Sequence, residues 1–414
     1  MVQVKTIDEL EALYYGHNRN LLRKADAPVT TSTAGTFNAI FGAYAWAQLN
    51  LEANAFGILP KYPWDKSGWR VITAKPVLGT TASGTANNNT ALGGTSEGGL
   101  IADTIKPTLK EIDVRPKTAQ LPFSASEVME WLATHSKDDI WGGLGSLRLF
   151  MAVQHKEFLN RMLLADVEAE AGSAGSSNDN GGTKDFETLD RIISSDAEED
   201  ALGGSSAKYY NPWAANADID RDGNAGEFDS TVESASGTIG TNGVLTDDTL
   251  RTFLRKIRIA AGKDPNVFLG SHEVYSEIQG LYMPSVRIPN PYGEALVQVD
   301  VNGIQSFKGT GVGIHVDSIY GIPFIPSKDA PSNSGDSAEI GRLFALDTSD
   351  AEGYGYPRIG IQVAIPTEYY EATRRTPAYP FVNNAFVEKG VFRTMGETVC
   401  RHFKSQGKIR DIKL

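Results

Sequence analysis

Between Trp69 and Lys117 the chain spells two β-rich runs, WRVITAKPVL and IKPTLKEIDVRPK, around the segment TTASGTANNNTALGGTSEGG, which has almost nothing to bury. Val, Ile and Thr suit a pleated surface, whereas a tract of Gly, Asn, Ser and Thr cannot offset its own ordering entropy. The pattern predicts a two-stranded arm with a soft tip. A two-stranded ribbon is marginal alone in water, so such an arm rests against the rest of the chain or against a neighbouring subunit. The plainer alternative is a hairpin with a disordered surface loop.

A long helix is expected next, over about 138–170. Ile140, Leu144, Leu147, Met151, Phe158, Met162, Leu163 and Val167 fall close to i, i+3, i+4 and i+7, and Gly172 supplies a stop. A helix of roughly 30 residues spans about 45 Å, enough to form the spine of an elongated subunit.

Shorter signals fill the rest. Helical spacing marks 6–24, behind a Thr6 cap, and an apolar helix is expected at 38–56. Residues 172–245 are rich in Gly, Ser and acids and read as an insertion outside the core. Thr246 caps a helix through TDDTLRTFLRKIRIAAG, followed by a buried strand NVFLGS and the helix HEVYSEIQGLY. Strand patterns occupy 296–326 and return in RIGIQVAIP, EYYEATRR and NAFVEKGVFRTMGETVC.

Composition excludes several classes. A length of 414 residues accommodates two or three domains. No run approaches the ~18 apolar residues of a membrane helix, and the acidic N-terminal start does not resemble a signal peptide, so neither membrane insertion nor secretion by that route is expected. The lone Cys400 rules out an internal disulfide framework and a cysteine-rich zinc site. A formal charge of −12 argues against gripping nucleic acid in a basic groove.

The sharpest local motif is DIDRDGNAGEFD. It sets Asp218, Asp220 and Asp222 at alternate positions, Gly223 at the sixth and Asp229 at the twelfth, with Asn224 offering a backbone carbonyl. That is the spacing of a calcium loop, with Asp for the usual final Glu. A solvated acidic turn is the alternative for the same residues. Calcium here would order the segment rather than catalyse a reaction, since no nucleophile or base is coupled to it.

No enzyme is expected. The chain has no GxxxxGK[ST] loop, HExxH, GxSxG or dinucleotide glycine fingerprint. Its six histidines form no ligand-like pair. Ser271 and His272 are adjacent, but neighbours at a strand end point apart, and a helix cap is the simpler use. His155 reads as core-satisfied or partly exposed, and Cys400 as a small buried hydrophobe.

In segment order the chain resembles the HK97-fold major capsid proteins of tailed bacterial or archaeal viruses, an α+β architecture. The resemblance implies an N-terminal arm at 1–68, an extended loop at 69–118 and a peripheral domain with its spine helix at 119–172. The insertion with its calcium-like loop follows at 173–245, then an axial domain at 246–359, and at 360–414 the return strands of the peripheral domain, over 360–404, and the C-terminus. It further implies pentamers and hexamers in an icosahedral shell around double-stranded DNA, without sequence-specific binding and without a membrane. A separate scaffold, a portal and minor capsid or decoration proteins are the partners to expect. No lysine lies between Pro76 and Ile105, so crosslinking from the loop is not expected. Two other readings stay open: an encapsulin-type nanocompartment shell, and a calcium-dependent extracellular binding module.

Overall fold

The computed structural model describes residues 52–74, 97, 108–135, 144–167, 185–202, 213, 221, 226–282, 317–333, 340–351, 353, 355–373 and 385–414. Among them, helices α1 (Asn54–Ile58), α2 (Glu127–His135), α3 (Leu144–Leu163), α4 (Leu189–Ile192), α5 (Asp196–Leu202), α6 (Asp247–Ala261) and α7 (His272–Tyr282) accompany three sheets. The helix expected at 6–24 lies outside the described residues, as does most of that at 38–56.

The smaller core sheet has the order β1-β11-β12-β4, from strands Lys61–Pro63, Ile359–Ala372, Val387–Cys400 and Lys117–Ser126. Its two long strands pair antiparallel, and β1 runs parallel to β11. α3 packs along this sheet, where Leu147 joins Phe123, Ala125, Met129 and Phe392 in one apolar cluster. His155, on α3, is fully buried, bonds Thr394 Oγ1 at 2.8 Å and stacks on Phe392. Burial pushes its ring below the usual histidine range, and of the two expectations the residue is in the core rather than partly exposed, with Nε2 partnered and Nδ1 buried without a hydrogen bond among the described residues. The helix is shorter at its C-terminal end than the apolar spacing predicts. Thr188 donates from its hydroxyl to the carbonyls of Leu163 and Ala165, meeting acceptors that the ended helix leaves open.

The larger sheet runs β5-β13-β10-β6-β8-β7, with β9 added beside β10: strands Thr231–Ser234, Gly407–Lys413, Ile340–Leu346, Val267–Gly270, Ile322–Pro326, Asp317–Ile319 and Ser332–Asn333. Strand alternation divides its side chains between two cores. Phe268, Phe324, Leu343, Ala345 and Ile409 face α6 and α7, meeting Leu250, Phe253, Ile257, Val274 and Ile278. Val267, Leu269, Phe344 and Leu346 face the other way, into a core shared with Ile359, Ile361 and Val399 of the smaller sheet. α6 starts and stops as its sequence predicts. Thr246 accepts from the Thr249 N–H at 3.2 Å, and Gly262 closes the helix at φ +76°, a conformation glycine adopts without strain.

One expectation is corrected here. The segment 173–245 is not an insertion outside the core: Leu189, Ile192, Ile193, Trp213 and Phe228 are buried in the shared core, Phe186 is buried with Ala119, Leu159 and Met162, and β5 lies in the larger sheet. Its acidic, serine-rich composition hid these anchors. The return strands expected after 360 pair with each other as β11 and β12, and the C-terminal strand goes elsewhere. β11 and β12 build the smaller sheet, but β13 crosses into the larger one, between β5 and β10. No described helix is long and apolar enough to cross a membrane.

Candidate functional site

The third sheet is the two-stranded ribbon expected of the arm. β2 (Gly68–Ala74) and β3 (Thr108–Asp113) pair, among the described residues, only with each other, with Trp69 opposite Ile112, Arg70 opposite Glu111 and Ile72 opposite Leu109. At the root, Ile112 and Val114 are buried in the shared core, and Trp69 and Val71 pack against it. Alternation turns the other face outward. There Arg70 and Glu111 pair in solvent at 2.8 Å, and one step further out Ile72 and Leu109 are 64% and 55% exposed. Two aliphatic side chains facing each other in water gain little from each other and leave most of their surface wet. The soft tip expected beyond them lies outside the described residues, except for Glu97.

A second apolar opening lies where the outer halves of β11 and β12 meet α3. It encloses about 780 Å³ and is lined by Pro122, Phe123, Leu147, Met151, Tyr370 and Val391.

The calcium-like loop meets the described residues at Arg221 and at its far end: Asp218, Asp220, Asp222 and Asn224 lie outside them, and Asp229 lies within. Its Oδ1 accepts the Asp196 N–H at 3.1 Å. Burial pushes the Asp229 carboxyl up, against the pull of the Arg221 guanidinium. Arg221, at the fourth loop position, is buried and donates to the carbonyls of Arg191 and Ile192. A divalent cation closed by Asp229 would therefore share it with a fixed positive charge. Asp196, Glu199 and Asp200 bring carboxylate oxygens within 4.8 Å of one another nearby, as exposed acidic groups commonly do without an ion.

What the sequence did not reveal is a buried network of charge. Asp190 is enclosed with Arg342, Lys408 and Arg410, and Glu198 meets Lys408 at 2.7 Å as well as Arg410. Burial alone would raise the Asp190 carboxyl, but Arg342 and Lys408 outweigh it and hold the group well below the usual carboxylate range. A second cluster joins Lys117 on β4, Glu397 on β12, and Glu187 with Arg191. Lys117 Nζ lies 2.9 Å from Glu397, and Arg191 bonds Glu187 at 3.1 Å. Burial pushes Glu397 up to about 7 despite Lys117, with Glu187 adding to the rise. One sequence signal pointed this way: in GKIRDIK, Lys408 and Arg410 alternate with Ile409, which asks a buried strand to hide charges on one face.

Ser271 and His272 do not form a catalytic pair. Ser271 Oγ accepts the Val274 N–H at 3.2 Å and caps α7, while His272 Nε2 faces Glu52 at 3.4 Å.

No protein-family model matches the chain, and no curated protein sequence does either. Solved structures do. The capsid asymmetric unit of cyanophage A-1(L) aligns over 90% of this chain and 96% of its own, at 14% identity and a TM-score of 0.53. The capsid of a native GTA particle covers 90% and 93%, at 10% identity and a TM-score of 0.48. The holo-SrpI encapsulin complex of Synechococcus elongatus covers 89% and 93%, at 11% identity and a TM-score of 0.38. The first of these likenesses carries the argument: this chain has the α+β fold of an HK97-type capsid subunit.

Proposed function

We propose that this chain is a major capsid protein, which self-assembles as pentamers and hexamers into the icosahedral shell around the double-stranded DNA of a tailed virus. The observation that carries the reading is the arm. On a subunit with a capsid fold, β2 and β3 expose Ile72 and Leu109 on a ribbon that no other strand of the described chain covers. Closed rings and shells need contacts in which one patch meets a different patch on the next copy, and a projecting arm supplies such a contact. The −12 charge suits the role, because an acidic wall does not grip packaged DNA and its self-repulsion is relieved by salt.

Negative-stain electron microscopy of the purified protein, alone and with a co-expressed scaffold, tests the reading. Closed polyhedral shells, or sheets of pentamers and hexamers, are the expected result. Dispersed monomers under both conditions would overturn it. The contents of the particles separate a virus shell from a cargo compartment, since the former is expected to take up DNA in its own host and the latter an enzyme.

A further inference from the structure

We propose that Arg401 is a positioning residue for assembly, whose guanidinium, caged by Tyr62, Trp69 and Tyr356, fixes the direction in which the β2–β3 arm leaves the subunit. The proposal rests on the shell reading and names what sets the geometry of the arm's contact.

Arg401 follows directly on β12, and its N–H donates to the Arg358 carbonyl at 2.7 Å, which fixes its backbone at the base of the β11–β12 pair. Its guanidinium carbon lies 4.7 Å from the Tyr62 ring centre, 4.7 Å from that of Tyr356 and 5.5 Å from that of Trp69. Nη1 donates to the Tyr62 hydroxyl at 2.7 Å. The three rings come from three stretches: Tyr62 from β1, Tyr356 from the approach to β11, and Trp69 from the first turn of the arm. The two tyrosines hold each other edge to face at 6.0 Å, and Tyr356 donates to Asp65 at 2.9 Å.

This arginine is used differently from its neighbour. Arg358 meets Asp347 at 3.0 Å, whereas among the described residues Arg401 makes no ion pair and spends its charge on aromatic faces. A guanidinium stacked on a ring is directional, because its plane and the ring's quadrupole define an angle. Ile112, Val114 and Val71 hold the root in the apolar core and Trp69 meets Trp213 edge to face at 5.8 Å, while Arg401 ties Trp69 to Tyr62 and Tyr356 on the body.

Leverage makes the angle matter. The described arm touches the body at its root, and the five residue steps from Trp69 to Ala74 reach about 17 Å, so a rotation of about 10° at Trp69 moves the far end by about 3 Å. That displacement exceeds the tolerance of a packed contact.

The test measures the arm before it measures the shell. Spin labels are placed at Ile72→Cys on the arm and Glu273→Cys on exposed α7, since Cys400 is buried and leaves the introduced thiols to react. Double electron–electron resonance on the free subunit then reads the distance distribution with Arg401 intact and in Arg401→Gln, Arg401→Lys and Tyr356→Leu. The expected result is at least a twofold broadening in Arg401→Gln and Tyr356→Leu, with partial recovery in Arg401→Lys. Without the labels, Arg401→Gln should give particles of mixed diameter where the unsubstituted protein gives one size. An unchanged distribution in both Arg401→Gln and Tyr356→Leu overturns the proposal whether or not shells form. Broadening with shells of unaltered size also overturns it. If the unsubstituted protein forms no shells at all, the shell reading fails, and the assembly role falls with it. Should Arg401→Gln fail to fold by circular dichroism, Arg401→Lys and Tyr356→Leu carry the comparison.

Discussion

Lys408 and Asp190 pair at 2.8 Å with neither side chain exposed to solvent. Lys408 sits on β13 in the middle of the larger sheet, and Asp190 on a segment that reads as surface. The pair, with Arg342, Glu198 and Arg410 around it, bolts that segment to the face of the sheet turned toward the shared core. Such a network is costly to bury and more costly to break, because removing one partner strands the others without water.

Asp190→Asn should therefore destabilise the subunit by about 3–5 kcal/mol, leaving Arg342 and Lys408 short of countercharge. Urea denaturation of the unassembled protein measures it. A loss below about 1 kcal/mol would mean that water reaches the network once Asp190 is neutral.

Glu397 predicts a pH dependence of opposite sign to the usual carboxylate. Its folded value is raised from 4.5 to about 7, so between those values the folded state holds a proton that the unfolded state has released. Stability from this group is greatest below about pH 4.5 and falls as pH rises toward 7, by on the order of 3 kcal/mol. Glu397→Gln should flatten that slope and be relatively more stable at pH 8 than at pH 5. Thermal unfolding of both proteins across that range tests it, and parallel curves would show that Lys117 keeps Glu397 ionised throughout.

Ile72→Asn with Leu109→Asn should separate folding from assembly. Both side chains are mostly exposed, so the free subunit is expected to change by no more than about 0.5 kcal/mol per site. Particle yield, read by sedimentation, should drop at least tenfold. Equal yields would place the intersubunit contact elsewhere.

Calcium is expected to raise the melting temperature of the free subunit in the millimolar range, given a loop closed by Asp rather than Glu and shared with Arg221. At a hundred times its dissociation constant a ligand contributes about 2.7 kcal/mol, and a chelator should remove it. Asp218→Asn with Asp220→Asn should abolish the response. No response in the unsubstituted protein would identify the loop as an acidic turn.

The sequence made legible what depends on local period and local caps. The arm, the apolar stripe of α3, Thr246 and Gly262 around α6, and Ser271 before α7 each carry their signal within a few residues. What escaped depends on partners far away. Phe186, Leu189 and Ile192 are separated by Glu187, Asp190 and Arg191, charges that look solvated until Arg342 and Lys408 arrive from the larger sheet. β13 went unread for the same reason: nothing within GKIRDIK says which sheet its alternating isoleucines fill. The cage around Arg401 was equally silent, since Tyr62, Trp69 and Tyr356 are common residues whose convergence appears only in three dimensions.

The placement of β13 also bears on when a subunit becomes competent. Its partners β5 and β10 precede it, so until Gly407–Lys413 has been synthesised and threaded between them, the larger sheet stands as two pieces with open edges. Open edges invite pairing with the wrong chain, and distant pairings form late. A nascent subunit on the ribosome thus has no finished body from which to hold out its arm. Completion of the sheet would act as a clock, delaying association until β13 has been inserted between β5 and β10.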